Sequence, residues 1–385
     1  MRRREEWEQG GYHKQNIKTQ NMLFFIDNIL NSDNNLAHSK VAKVLPIYTR
    51  LKENCLQFGF FHQLLSIDES MVPYRGLHSA RQYIKGKPVK FGYKIWMLCS
   101  SDGFPYNFDI YCGKESRREG PLGSHVVNTL LAPVSNKNQH IVFFDNFFTS
   151  YDLLKKLAAD NIRACGTVRE NRIGRCPLPL NKVWKKKPRG SYYYRSEGNV
   201  ICVKWQDNCV VTDASNYYGV NPIQVTERYV KNETRKSVNQ PYLIKMYNTG
   251  MGGIDICDKL LASYRPRLRS KKWWWNLFSH AINLSLVAAY KFYYYTNKTN
   301  KVSHLQFRRE IARALVKCEK NRNRLGGPNT APCYAVRYNG VNHNLESVRQ
   351  GRCVVCSKNT RLSCMKCEKR LHKPCSKIFH NEWVK

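Results

Sequence analysis

Apolar and polar positions divide the chain into segments of different texture. LLSID (64–68) is a short apolar run that reads as a buried strand ending in a carboxylate. FGYKIWMLC (91–99) and FPYNFDIYC (104–112) are aromatic and β-branched and flank SSDG, which predicts a β-hairpin. HIVFFD (140–145) is a second buried strand ending in Asp, and IRACGTV (162–168) a further one. Between them Ser150 is placed to cap a helix over YDLLKKLAAD. From about 170 to 245 the composition turns to Lys, Arg, Tyr and Pro, with strand-like runs at 190–195, 199–205 and 208–213, which predicts a β-rich insertion. Gly252-Gly253 then opens an amphipathic helix, IDICDKLLASY. A second helix is predicted over Trp274–Tyr295 and a basic third over Leu305–Asn321, with Gly-Gly-Pro at 326–328 ending the helical region. Ahead of all this, Val41–Phe61 mixes apolar and basic residues in a helical manner, and the first twenty residues are polar enough to be disordered. No internal repeat is visible.

Charge changes the picture. Among 385 residues, 64 Lys and Arg face 28 Asp and Glu, a net +36. Self-repulsion on that scale opposes compaction and is relieved by a polyanion, with nucleic acid ahead of an anionic membrane surface. The N-terminal MRRREEWEQGG lacks an apolar signal core, and Leu277–Tyr295 is interrupted by His280, Asn283 and Lys291, so it reads as a buried helix and not as a membrane span. Without a secretion signal, the 15 cysteines sit in a reducing compartment, where clusters favour metal over disulfides. The runs KKKPR (185–189) and RPRLRSKK (265–272) fit nuclear import as well as DNA contact.

Three acidic sites end apolar elements: Asp68, Asp145 and the pair Asp255/Asp258. Burying a carboxylate is costly without a partner, and a divalent cation with hard oxygen preference is one such partner. Asp255 and Asp258, at i and i+3, project from one helix face. Two metals roughly 3.5–4 Å apart serve phosphodiester cleavage well, and about three converging carboxylates can hold them. Any single strand-end Asp is more often a cap or turn residue, and Asp109, Asp207 and Asp213 are read that way.

The C-terminal segment carries Cys353-x2-Cys356-x7-Cys364-x2-Cys367-x4-His372-x2-Cys375-x4-His380. Each close pair offers two soft ligands from one turn, and tetrahedral zinc accepts two pairs. A segment this short buries little core, so metal supplies its folding energy. An interleaved two-zinc cross-brace resembling PHD or RING modules is expected, with Cys353, Cys356, His372 and Cys375 on one ion and Cys364, Cys367 and His380 on the other. His343 is a possible eighth ligand, although a surface histidine is the commoner reading. The ten upstream cysteines are scattered singly and read as structural.

SIDESMVPYRG (66–76), KPVKFGYKIWMLC (87–99), FFDNFFTS (143–150), GGIDICDKLLASYR (252–265) and KKWWWNLFSHAINLSLVAAY (271–290) together resemble the piggyBac transposase family, in the family's order, over roughly 25–300 and again 350–380. The resemblance implies an α/β fold: a ribonuclease H-like catalytic core with a β-rich insertion, plus a small C-terminal cross-brace zinc module. The division that follows is a shortened N-terminal helical region (1–61), the first part of the core (62–170), the insertion (171–245), core completion with helices (246–325), a linker (326–345) and the zinc-binding domain (346–385). It implies a DDE/D catalytic set at Asp68, Asp145 and Asp255, with Asp258 as a further essential acid, all present and holding two Mg²⁺ or Mn²⁺ ions. It implies cut-and-paste DNA transposition at TTAA sites through hairpinned ends. The implied partners are double-stranded DNA (transposon ends and TTAA target) and a second copy of the chain in a homodimer, in the nucleus and away from membranes. The cysteine-rich tail would bind terminal DNA, or a chromatin partner such as a histone peptide. The stretch before Asp68 is shorter than family members carry, so the alternative is a domesticated, non-cutting DNA-binding or chromatin protein.

The basic sets Arg75/Lys85/Lys87/Lys90, Lys182/Lys185/Lys186/Lys187/Arg189 and Arg265/Arg267/Arg269/Lys271/Lys272 recur beside the acids and are candidate phosphate contacts as groups. Tyr192–Tyr194 and Trp273–Trp275 neighbour such runs, but core packing is the expected role of both.

Overall fold

The computed structural model describes residues 39–113, 120–174, 176–230, 233–265, 270–297, 299, 301–322, 337–338 and 340–381. Two compact units divide at Arg308/Arg309. The first twenty residues and the Gly-Gly-Pro stop lie outside the described residues, as do Arg267 and Arg269.

The first unit opens with helix α1 (Leu45–Leu56), whose Pro46 occupies an early position where its missing N–H costs nothing. Strands β1 (Leu64–Pro73), β2 (Gln82–Tyr83), β3 (Phe91–Ser100) and β4 (Pro105–Ile110) follow, then helix α2 (Leu122–Leu131), strand β5 (Ile141–Phe144), helix α3 (Tyr151–Ala159) and strand β6 (Arg163–Thr167). Ser150 caps α3 as its position in the sequence predicts, accepting a hydrogen bond from the Leu153 amide. The 91–112 hairpin is present as β3 and β4. Next come β7 (Tyr192–Glu197), β8 (Val200–Gln206), β9 (Val210–Ser215), β10 (Gln224–Val230) and β11 (Glu233–Gln240). The unit closes with helices α4 (Tyr242–Gly250), α5 (Gly253–Ser263), α6 (Trp274–Thr296) and the start of α7 (His304–Arg322). No helix among the described residues is long and apolar enough to cross a membrane.

Nine of these strands form one sheet in the order β2-β3-β1-β5-β6-β9-β8-β7, with β4 also on β3. Its centre is ribonuclease H-like: β4, β3 and β1 run antiparallel, then β5 and β6 run parallel to β1. β7, β8 and β9 extend that same sheet, because β9 pairs with β6. The β10–β11 hairpin stands as a separate ribbon among the described residues of this unit.

Alternation along β1 and β5 sends Leu65, Ile67, Val142 and Phe144 into the larger core cluster with Leu153, Leu154 and Leu157 of α3. Ile141 and Phe143 point the other way, toward Leu243 and Ile244 of α4. Fully burying each such side chain contributes about 1.5–3 kcal/mol. Helices α4 and α5 approach the sheet through glycines. A Cβ on Gly250 would strike the Phe143 ring, and one on Gly253 would strike the Ser100 carbonyl and Ser66 Oγ.

Three expectations need correction. β1 continues past Asp68 to Pro73, because its antiparallel ladder with β3 runs from Leu65 to Pro73. Asp68 is therefore mid-strand and does not end it. Tyr192 and Tyr194 are exposed and do not pack in the core, since β7 is the edge strand of the sheet; Trp274 is buried, with Trp273 and Trp275 against the core, as expected. Asp109 and Asp213 are neither cap nor turn residues: Asp109 lies within β4, paired with Trp96, and Asp213 lies within β9, paired with Thr167 and Val203, and is fully buried.

The second unit holds β12 (Leu345–Arg352), β13 (Asn359–Cys364), β14 (Lys369–Arg370) and helix α8 (Lys373–His380). Its core is small, built of Leu371, Phe379 and three cysteines, with Leu345 and Cys375 packed against them.

Candidate active site and candidate zinc centres

Asp68 and Asp145 come together through sheet register. The parallel pairing runs from Leu64↔Ile141 to Ile67↔Phe144, so Asp68 and Asp145 are the residues that directly follow its last pair on the two chains. β5 ends there. Asp145 turns the chain, its Oδ1 accepting from the Phe147 amide at 2.8 Å and its carbonyl from Thr149 Oγ1 at 2.8 Å. Arg169 and Arg172 fix the following residues by binding the Asn146 side chain and the Asn146 and Phe147 carbonyls.

Ser66, Asp68 and Ser70 share one face of β1. Helix α5 lies along it, with Gly253 against Ser66 and Asp258 Oδ1 accepting from Ser70 Oγ at 2.6 Å. Asp68 lies between these two anchor points. Asp255, in the first turn of α5, is exposed.

Lys87 reaches β1 at two neighbouring acids. Its Nζ is 3.9 Å from Asp68 Oδ2 and 3.2 Å from Glu69 Oε1, and its charge acts on Asp145, Asp255 and Asp258 as well. Glu69 went unread in the sequence. It is on the opposite face of β1 from Asp68, yet both reach Lys87, because the strand edge is open beyond the end of β5. Its Oε2 also pairs with Lys94 at 3.6 Å, and Lys94 lies over the Trp96 ring at 3.7 Å.

Burial, then repulsion from Glu69, raises the Asp68 carboxyl to about 8 against the opposing pull of Lys87. Burial raises Asp145 as well, and lifts Asp258 to about 6 despite the Ser70 hydrogen bond and Arg265. Carboxylates so destabilised fit a hard divalent cation, which favours their charged forms. Among the described residues the four acids do not form a set whose ligand atoms all lie within 4.8 Å. Beside the Lys87 loop, Arg75, Arg81, Lys90 and Phe91 line a cleft of about 670 Å³ with Pro73, Pro88 and Val89, and none of the four acids reaches it. Of the second basic set, Arg189 is committed to Asp207, which also accepts from Arg228 at 3.0 Å.

In the second unit the ligand atoms of Cys353, Cys356, His372 and Cys375 lie within 4.8 Å of one another, and so do those of His343, Cys364, Cys367 and His380. The two sets interleave along the chain. His343 completes the second, so its reading as a surface residue is set aside. His372 Nδ1 faces Cys356 Sγ at 3.3 Å while its Nε2 meets the Asn359 carbonyl at 3.1 Å, an outer hydrogen bond that orients a ligating ring. His380 Nδ1 is held by the Ser376 carbonyl at 2.8 Å, leaving its buried Nε2 without a hydrogen-bond partner. Burial works against a Cys353 thiolate, but the Cys356 and Val355 amides and His372 outweigh it and hold the thiol down at about 6. Burial and the neighbouring sulfurs push Cys367 and Cys375 up to about 11. Both donor sets could hold zinc, which would cancel that repulsion.

Residues 16–290 match the family described as Transposase IS4. The human PiggyBac transposable element-derived protein 3 is 36% identical over 354 residues, covering 89% of this chain and 59% of that protein. The human PiggyBac transposable element-derived protein 2 is 30% identical over 361 residues, covering 91% of this chain and 61% of its own length. The chain thus spans about six tenths of these relatives. A cryo-EM structure of a piggyBac transposase synaptic complex with hairpin DNA shares the fold at a TM-score of 0.60 and 22% identity, covering 86% of this chain and 72% of that one.

Proposed function

This chain belongs to the piggyBac-type transposase family, and on that premise we propose that it is a metal-dependent DNA transposase that cuts and joins DNA at TTAA sites, with Asp68, Asp145, Asp255 and Asp258 as its catalytic carboxylates. The observation that supports the reading is that Asp258 of α5 is seated on Ser70 of the strand that carries Asp68, while β5, parallel to that strand, leads into Asp145, on elements far apart in sequence. Asp68 and Asp145 would hold Mg²⁺ or Mn²⁺ from adjacent strands, and Asp255 and Asp258 from the helix above. When bound, two such ions activate an attacking oxygen and stabilise the leaving one. The chain's own contribution is placement. The Phe147 amide fixes Asp145, Ser70 fixes Asp258, and Arg169 and Arg172 brace the loop that follows the sheet. The reaction is strand nicking to free a 3′-hydroxyl, attack of that hydroxyl on the opposite strand to leave a hairpinned end, then hairpin opening and joining to a new TTAA.

The tail is assigned two Zn²⁺ ions, one in each Cys/His set, and the task of gripping transposon-end DNA. A homodimer in the nucleus is the working form. The test is nicking of a TTAA-flanked transposon end by the purified chain with Mg²⁺ or Mn²⁺. Cleavage that disappears in Asp145→Asn supports the reading. DNA binding without cleavage in any divalent metal refutes it in favour of a non-cutting, domesticated protein, a reading that the relatives' description as transposable element-derived keeps open. For the tail, tighter binding of a histone peptide than of duplex DNA would replace the DNA-gripping role with a chromatin one.

A further inference from the structure

Lys87 is the one cation that pairs with both Asp68 and Glu69 among the described residues. It is carried by the loop between β2 and β3. The ladder closes at Gln82↔Gly92 and Tyr83↔Phe91, and the Ile84 amide binds the Lys90 carbonyl at 2.9 Å. Residues 85–89 lie beyond that closure, with Gly86 at φ +93, a left-handed conformation that costs glycine little. Lys87 can therefore move without breaking a strand. Lys94 is held differently. It belongs to β3, its side chain is 13% exposed against 35% for Lys87, and Trp96 covers it. Glu69 thus keeps one permanent partner and one that can leave.

We infer that Lys87 is a built-in counter-ion of the acid cluster: its ammonium holds Asp68 and Glu69 in place while no divalent cation is bound, and withdraws when one binds. This rests on the reading of the four acids as a divalent-metal site. The physical case is competition for the same charge. Lys87 carries one positive charge within 3.9 Å of an Asp68 oxygen. A dication held by that carboxylate meets like-charge repulsion unless the lysine leaves. The bare acid cluster meets its own repulsion unless the lysine stays. Once displaced, the ammonium sits on a loop next to the cleft lined by Arg75, Arg81 and Lys90, where it adds to a phosphate-binding surface. Lys87 is in this sense a positioning residue.

The experiment measures Mn²⁺ binding to the zinc-loaded full chain without DNA, counting only the binding that Asp145→Asn removes. Lys87→Met should bind Mn²⁺ more tightly, on the order of tenfold, because a like charge has been removed from a partly buried site. Lys87→Arg should keep the wild-type affinity. Equal or weaker binding by Lys87→Met, or the same gain in Lys87→Arg, overturns the inference and leaves the metal site standing. Absence of Asp145-dependent Mn²⁺ binding in wild type and variants alike overturns both. A second readout needs no variant: amine acetylation at Lys87, followed by mass spectrometry, should speed up on adding Mn²⁺ while Lys94 stays unchanged. Unchanged labelling of Lys87 at saturating Mn²⁺ also overturns the inference.

Discussion

Asp213 offers the cleanest test of the electrostatics of this fold. It is fully buried in β9, and neither carboxylate oxygen has a hydrogen-bond partner. Burial alone raises its carboxyl from 3.8 to about 7. The sign follows from proton linkage. Below 3.8 both folded and unfolded chains carry the proton, and the group contributes nothing. Between 3.8 and about 7 the unfolded chain ionises while the folded one keeps its proton, so stability falls as pH rises. Above 7 the penalty levels off, at about 4 kcal/mol at most, taking 1.36 kcal/mol per pH unit; structural relaxation lowers it. Asp213→Asn removes the titration and keeps the shape. The difference in unfolding free energy, variant minus wild type, should grow by about 2–3 kcal/mol between pH 5 and pH 8.5. The measurement is urea unfolding at several pH values followed by tryptophan fluorescence, Trp205 lying in the buried cluster on that side of the sheet. Other titrating groups cancel in the difference. The absolute offset carries the cost of an unpaired amide and is not diagnostic, whereas its pH dependence is. A difference that stays constant from pH 5 to 8.5 would refute the reasoning, and so would one that shrinks.

Three further outcomes are expected. Gly253→Ala places a methyl against the Ser100 carbonyl and Ser66 Oγ, so it should cost about 1–3 kcal/mol of stability and, on the proposed activity, lower DNA cleavage at least about tenfold by lifting Asp258 off Ser70; unaltered cleavage would show that α5 is not seated as described. Zinc release measured with a chromogenic chelator should give two equivalents per chain for wild type and about one for His343→Ala, with loss of structure in residues 340–381 when both are removed; two equivalents from the variant would remove His343 from the ligand set. Replacing Lys185, Lys186 and Lys187 together by Gln should flatten the dependence of log affinity for duplex DNA on log salt by up to about 3, with an Arg189 substitution acting through stability instead because that side chain is paired with Asp207.

Much of this was legible in the sequence, and the gaps have a common cause. Strand positions, the Ser150 cap and the helix opened by Gly252-Gly253 follow from local periodicity and capping chemistry, which act over a few residues. The full length of β1 is not legible locally, because SMVP has no strand pattern of its own; its partner is the stretch Gly92–Ile95 of β3, about twenty residues further on. Glu69 and Lys87 could not be singled out, since their meeting depends on where β5 ends. Asp213 looks like any Asp closing a short β-branched run (Val210-Val211-Thr212), and only pairing with β6 and β8 on either side reveals it as buried. His343 precedes the first CxxC pair, and nothing local distinguishes it from a surface histidine until β13 brings Cys364 beside it. Residues whose role depends on non-local pairing were the ones missed.

The charge imbalance gives the acid cluster its meaning. A chain at +36 surrounds its few acids with a positive field that disfavours a free dication as much as it favours DNA. Yet burial raises Asp68, Asp145 and Asp258 instead of letting that field stabilise their ionised forms. Desolvation therefore outweighs the net charge at the site, and the field acts mainly on what approaches from solvent. DNA phosphates arriving along the basic surface would lower the local positive potential and supply oxygen ligands together. If the proposed function holds, metal would load best with DNA already present, and Lys87 would hold Asp68 and Glu69 until then.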